Sequence, residues 1–326
     1  MARRIGLVLT VAALAAWGNA QPGQVGGPVI GYVFDGSAHA VRPVLGIPGA
    51  ALFGSSVTLG YDVASASISP AGDSAVVMAA DGSLHLIGLS GGAAAEISLN
   101  GAMRKPDRVV FSPSGTALAL ITNGRVQILS GLPATATLAA TMDLGTAAST
   151  QASAQGGKRP ATVFGSMALS DDGALLLFVA NGTVHLAGAG GPHSFDTAGR
   201  ETVVAFAPAG HDAVLATKTG VNLLRSIDST ATPEPLAPAA PLDNIAGAAF
   251  STDGKTLFLA GGQGITAFDL STGAPTAIVS DTIPTVLERM GGVYRLNDLG
   301  SGPLWVLDPA PGHQRVVFVP AAGGSE

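Results

Sequence analysis

Six histidines, His39, His85, His185, His193, His211 and His313, are the residues best suited to metal ligation or proton transfer near neutral pH. No two stand at the short spacing that would put both imidazoles on one face beside an acid, so the local sequence offers no metal site. His85 and His185 do share one position, three residues past a turn glycine. They read either as equivalent ligands on neighbouring repeats or as polar residues on outer strands. The second reading is favoured, because Gln127, Leu223 and Ala267 hold that position in other repeats. Asp35, Asp269 and Asp308 each follow the end of an apolar run, where an aspartate caps a turn through its own backbone. Glu96, Glu201, Glu234 and Glu288 stand alone in the chain. No Gly-x-Ser-x-Gly elbow supports a serine nucleophile. Gly261-Gly262-Gln263-Gly264 lacks the following helix that a phosphate cradle requires, and Asn181-Gly182-Thr183 reads as a hairpin turn rather than a glycosylation site. No catalytic, cofactor-binding or metal-ligating residue is assigned, and no cofactor is expected.

The elements that would position any site are legible in the glycines. The chain has 326 residues, with 45 glycines and 21 prolines, which cuts it into short pieces and disfavours long helices. Five bends share one form: Ser69-Pro70-Ala71-Gly72, Ser112-Pro113-Ser114-Gly115, Ser170-Asp171-Asp172-Gly173, Ala207-Pro208-Ala209-Gly210 and Ser251-Thr252-Asp253-Gly254. Each is followed nine or ten residues later by a second turn glycine, at Gly82, Gly124, Gly182, Gly220 and Gly264. The near-continuous apolar runs between paired glycines suit strands buried on both faces and are too short for helices. First-turn glycines recur after 43, 58, 37 and 44 residues, a spacing that suits blades of four strands.

The fold class expected is therefore all-β: a β-propeller of four-stranded antiparallel blades, seven favoured over six. Its ring would be closed by strands from both termini, residues 29–46 pairing with residues 293–320 in a shared blade. Residues 145–162 read as a long inserted loop and residues 229–244 as a proline-rich bridge between blades. Thr285 to Met290 reads as one helical turn.

The Ser-Pro-Ala-Gly, Ser-Asp-Asp-Gly and Ser-Thr-Asp-Gly turns resemble those of WD-like bacterial propellers of the TolB and YVTN types. The run Ile265-Thr266-Ala267-Phe268-Asp269-Leu270-Ser271-Thr272-Gly273 is similar to the strand that closes a YVTN-type blade. That resemblance covers roughly residues 60–320. It implies the fold and leaves the activity open, since such families include scaffolds, binding proteins and a few lactonases.

The first twenty residues have another character. Arg3 and Arg4 precede the uncharged apolar run Ile5 to Trp17, and Gly18-Asn19-Ala20 supplies the small residues of a signal-peptidase site. About 13 apolar residues at ~1.5 Å each cannot span a ~30 Å hydrocarbon core, so residues 1–20 read as a cleaved signal peptide. Residues 21–28 then form a flexible mature N-terminus, 29–321 one propeller domain and 322–326 a flexible tail. The product is expected in a periplasm or outside the cell, with no membrane insertion. The absence of cysteine excludes disulfides, thiolate metal sites and lipidated cysteine. A net charge of -6, which becomes -8 once Arg3 and Arg4 are removed, gives no basic footprint for nucleic acid. The function expected is a non-catalytic binding or protein-interaction scaffold for a protein, small ligand or glycan. An exported hydrolase or lactonase is the alternative, its site centred on the channel with or without a metal.

Overall fold

The computed structural model describes residues 27–90, 93–99, 101–144, 163–188, 193–195, 202–229, 233–239, 241–300 and 302–321. Residues 1–20, read above as a signal peptide, residues 145–162, read as an inserted loop, and residues 322–326, read as a tail, lie outside the described residues. The rest is an all-β ring of seven antiparallel sheets. Blade 1 holds β1 (Val29–Asp35), β2 (Ala40–Ile47) and β3 (Ala50–Phe53). Blade 2 holds β4 (Val63–Ile68), β5 (Ser74–Ala79), β6 (Leu84–Ser90) and β7 (Ala93–Ile97). Blade 3 holds β8 (Arg108–Phe111), β9 (Ala117–Thr122), β10 (Arg125–Ser130) and β11 (Thr137–Asp143). Blade 4 holds β12 (Phe164–Leu169), β13 (Leu176–Ala180), β14 (Thr183–Ala187) and β15 (His193–Phe195). Blade 5 holds β16 (Val203–Phe206), β17 (Ala213–Thr217), β18 (Gly220–Leu224) and β19 (Pro233–Leu236). Blade 6 holds β20 (Gly247–Phe250), β21 (Thr256–Gly261), β22 (Gly264–Asp269) and β23 (Pro275–Ile278). Blade 7 holds β24 (Glu288–Met290), β25 (Val293–Arg295), β26 (Leu304–Asp308) and β27 (Arg315–Val319).

In blades 2, 3, 4 and 6 the first turn is built around its serine, Ser69, Ser112, Ser170 or Ser251. In blade 4 the Ser170 amide donates to the Leu175 carbonyl and the Gly173 amide to the Ser170 carbonyl, both at 2.9 Å. The Ser170 hydroxyl accepts from the Leu175 amide at 2.9 Å and donates to Asp172 at 2.6 Å. The hydroxyl is thus fully used, which is why Ser69, Ser112 and Ser170 can be buried. Gly173 holds φ 71°, a conformation that costs an L residue about 1 kcal/mol. At the second turns, Asn123-Gly124 and Asn181-Gly182 have both central residues at positive φ, the geometry that matches strand twist in a two-residue hairpin.

Apolar side chains on the two faces of each blade pack against the next blade around the ring. Leu176 and Phe178 of blade 4 meet Ala119 and Ile128 of blade 3 on one face. Leu177 and Val179 turn to Phe206 and Leu215 of blade 5 on the other. This alternation buries both faces of the middle strands, and each fully buried Leu, Val or Phe contributes roughly 1.5–3 kcal/mol. Seven such clusters join all seven neighbouring pairs.

The N-terminal and C-terminal strands do close the ring, by face packing and not through a shared blade. Blade 1 and blade 7 are separate sheets, and Val33, Val44 and Ala51 pack against Met290, Val306 and Val319 between them. Hydrophobic burial along this seam replaces the expected strand pairing of residues 29–46 with 293–320. An isolated parallel bridge joins Asp35 to Leu299, and Arg315 of blade 7 donates to the Pro48 carbonyl of blade 1 at 3.3 Å. Blade 1 also differs in direction. The carbonyl of Ile30, near the start of β1, accepts from Gly292 after β24, while Asp35 at its end meets Leu299 beyond β25. Its innermost strand therefore runs opposite to β24, and among the described residues the blade has three strands where the other six have four.

Two further expectations are corrected. Glu288–Met290 is a strand, β24, and not part of a helical turn, because it pairs with β25 from Glu288–Arg295 to Met290–Val293. Residues 229–244 are not a bare bridge, since Pro233–Leu236 forms the outer strand β19. An outermost strand pairs on one edge only, so Pro233 and Pro235 are tolerated there. Among the described residues no helix is long and apolar enough to cross a membrane.

Candidate functional site

The innermost strands β1, β4, β8, β12, β16, β20 and β24 surround a central channel of about 760 Å³. Its wall is mainly apolar or small, with Ala66, Val110, Ala205, Ala248 and Met290 as examples, and Ser67 and Ser166 as hydroxyls. The charged residues in the wall are Arg108, Glu288, Arg289, Arg295 and Asp298. A cavity of this size and character lies in the range used for small molecules.

One end of the channel is crossed by the first turns of the blades. The Gly291 amide of blade 7 donates to the Pro70 carbonyl of blade 2 at 3.0 Å. Arg289 donates from Nε to the Gly291 carbonyl at 3.0 Å and from Nη1 to the Pro113 carbonyl of blade 3 at 3.2 Å. Blades 7 and 3 stand three steps apart in a ring of seven, so this side chain reaches to the far wall. Asp171 continues the lacing, accepting from the Ser114 amide at 2.7 Å and the Ala209 amide at 2.9 Å. His211 lies between Asp172 at 2.9 Å and Asp228 at 2.7 Å. Burial acts against charge on this imidazole, but the bonds to Asp228 and Asp172 outweigh it and raise its pKa above the ordinary 6.5.

The opposite mouth carries the other wall charges, at the starts of β8 and β24. Arg295 donates from Nε to Glu288 at 3.1 Å and from Nη1 to Asp298, so both carboxylates of the channel wall are engaged by one guanidinium. Arg108 donates to the carbonyls of Gly165 and Phe164 on the neighbouring blade.

The histidines at the shared repeat position are not brought together. His185 is buried within blade 4 and stacked on Phe178, with ring centroids 5.1 Å apart, and burial lowers its pKa. His85 lies in blade 2, stacked on Tyr61 at 4.1 Å. Its Nδ1 meets Glu96 Oε1 and its Nε2 meets Ser83 Oγ, both at 2.8 Å. Glu96 is thus not isolated; nor is Glu234, bound by Arg225, or Glu288, bound by Arg295. Glu201 lies outside the described residues. The Ser83–His85–Glu96 row has the order of nucleophile, base and orienting acid. However, the Ser83 hydroxyl also lies 2.6 Å from Asp81 Oδ1, which takes its single proton, and none of the three residues lines the channel.

The aspartates at strand ends cap turns. Asp269 accepts from the Ser271 amide at 2.8 Å, and Asp308 from the Ala310 amide at 3.2 Å. Asp35 accepts from the Ser37 and Ala38 amides and from Arg42. Burial works to raise its pKa, but those bonds prevail and hold the carboxyl below the usual range. In the glycine-rich turn the Gly262 amide is spent on the Asp243 carbonyl at 2.6 Å. Among the described residues no group of three His, Asp or Glu side chains is placed to hold a metal ion.

The architecture also has a counterpart among solved structures. The chain is similar to the crystal structure of a functionally unknown protein from Desulfotomaculum acetoxidans, with 14% sequence identity and a TM-score of 0.54. The match covers 90% of this chain and 100% of that one. The fold is shared. No protein-family description matches the chain, and no curated protein does either.

Arg108 and Arg289 are the site residues that sequence reading passed over, since they lie far apart in the chain and carry no motif. Arg289 had one faint local mark, a long cation two residues before the Gly291-Gly292 turn.

Proposed function

We propose that this chain is an exported β-propeller that acts as a binding scaffold, with the central channel as its ligand site. The observation that supports this is the character of the channel wall. It is apolar and small over most of its area, its two carboxylates are held by Arg295, and among the described residues no histidine lines it. A hydrolytic site needs a base and an activated nucleophile converging on one point, whereas a shaped apolar cavity with a few fixed charges suits ligand capture. Export rests on the arginine pair, apolar run and small-residue site of residues 1–20.

The test is a thermal-shift screen of the purified protein against small-molecule fractions from its export compartment. The channel-filling variant Ala248→Trp serves as control. A ligand that raises the Tm of the wild type but not of Ala248→Trp supports the proposal. Hydrolysis of lactones or esters by the wild type, lost in Ala248→Trp, would replace it with the enzyme reading.

A further inference from the structure

Among the described residues three arginines and two carboxylates line the channel, and their pairing is uneven. Arg295 takes Glu288 and Asp298 together. Arg108 and Arg289 find only backbone carbonyls, and among the described residues neither is paired with a carboxylate. The wall thus carries one positive charge in excess, inside a protein whose formal net charge is -6. The sign inside the channel opposes that of the whole molecule.

Position sharpens the asymmetry. Arg108 stands exposed at the start of β8, at the open mouth, while Arg289 is half-buried where the turns cross. A guanidinium has five N–H donors in a planar fork. Arg289 uses one on the Gly291 carbonyl and one on the Pro113 carbonyl, and these bonds fix its plane from both sides of the channel. Carbonyl dipoles orient the group without cancelling its charge. Away from bulk water a fixed cation attracts an anion more strongly than an exposed one does, and bonds between guanidinium and an oxyanion are among the strongest available. The remaining wall is mainly apolar, with Val110, Ala205, Ala248 and Met290, and adds the neutral hydroxyl residues Ser67 and Ser166.

We infer that the channel binds an amphipathic organic anion, its carboxylate or sulfonate at Arg289 and its apolar body along the innermost strands. Arg108 draws the anion to the mouth, and the held carboxylates of Glu288 and Asp298 disfavour a dianion or a long acidic chain. This rests on the binding-scaffold reading and adds the ligand's chemical class to it.

The test uses two fluorescent probes with similar aromatic bodies: the anion 8-anilinonaphthalene-1-sulfonate and the uncharged N-phenyl-1-naphthylamine. Each is titrated into the full exported protein and into folded variants. The expected result is that the anion binds about tenfold more tightly than the neutral probe, a difference of about 1.4 kcal/mol. Arg289→Met is expected to remove that preference and leave the neutral probe within about twofold, while Ala248→Trp removes both probes. Should Arg289→Met not fold, Arg108→Met and added salt carry the same test, each weakening the anion selectively. Equal binding of both probes, blocked by Ala248→Trp, would overturn the anion preference and leave the scaffold reading standing. Anion binding that survives Ala248→Trp, or no binding of either probe, would overturn the inference outright.

Discussion

Arg289 Nη1 donates to the Pro113 carbonyl at 3.2 Å, tying blade 7 to blade 3 across the channel although the two residues stand 176 positions apart in the chain. Such a bond stiffens the ring in a way that pairing within blades cannot. Removing it leaves the Pro113 and Gly291 carbonyls without this donor at a half-buried site. Arg289→Met is expected to lower unfolding free energy by about 1–2 kcal/mol, below the full worth of two charged hydrogen bonds because an uncompensated cation leaves with them. Urea denaturation checks this, with a lower midpoint at an unchanged slope. An unaltered midpoint would mean that the turns hold without the arginine.

The His211 clamp makes stability depend on pH in a direction that can be worked out. Its folded pKa is raised above 6.5 by Asp228 and Asp172 against the opposing effect of burial. The contribution is therefore complete below the unfolded value and is lost as pH rises through the raised folded value. Asp172 supplies the opposite limit. Burial would raise its pKa, but bonds from Ser170, Ala174 and His211 lower it below 3.8, so its contribution fades as pH falls through that lowered value. With both aspartates about half exposed, solvent screening limits the clamp to roughly 0.5–1 kcal/mol. His211→Gln is expected to match the wild type above the raised value and to be less stable between the two limits. Urea midpoints across pH 4 to 9 measure it; a constant difference at every pH would refute the linkage.

His185 should give the opposite slope. Burial against Phe178 lowers its pKa below 6.5, so the folded state resists taking a proton that the unfolded chain accepts. Its stabilising effect holds above the unfolded value and declines as pH falls toward the lowered folded one. His185→Phe is expected to flatten the acid side of the stability profile and leave the alkaline side parallel to the wild type.

These contrasts also show what the sequence could and could not announce. The turns were legible because serine, aspartate and glycine act within five residues of one another, as Ser170, Asp172 and Gly173 do. The strands between them followed from their length. A central channel was expected but its charged lining was not legible, because Arg108 and Arg289 lie in separate blades and acquire a shared environment only when the ring closes. Nor was the reversed, three-stranded blade 1, whose pattern of apolar residues satisfies either direction. Thr285 to Met290 misled for a third reason. Leu287, Glu288, Arg289 and Met290 are good helix formers, and pairing of β24 with β25 overrides that local preference.

Tyr294 offers a test of the seam between blades 6 and 7. Its hydroxyl donates to the Phe250 carbonyl at 2.8 Å, and its ring meets Phe258 at 5.2 Å. Burial pushes its pKa up to about 12, so the phenol keeps its proton throughout the stable range. Tyr294→Phe keeps the ring and deletes the donor, leaving a buried carbonyl short of a partner. A loss of about 1–2 kcal/mol is expected, read as a lower Tm with no change in pH dependence below pH 9.

The last prediction concerns a turn that departs from its own repeat. In blades 2, 3, 4 and 6 the left-handed position falls on Gly72, Gly115, Gly173 and Gly254, whereas in blade 5 it falls on Ala209, with φ 55°. The cause is visible one blade earlier in the ring: Asp171 of blade 4 accepts the Ala209 amide at 2.9 Å and holds the turn in this form. An alanine side chain at positive φ costs about 1 kcal/mol, and glycine removes that strain while adding freedom to the unfolded chain. Because the bond to Asp171 comes from the backbone, Ala209→Gly retains it. The variant is expected to be more stable by a few tenths to about 1 kcal/mol. Asp171→Asn in the same background is expected to cost most of that gain by weakening the charged acceptor. A destabilised Ala209→Gly would mean that the alanine methyl makes a contact worth more than the strain it imposes.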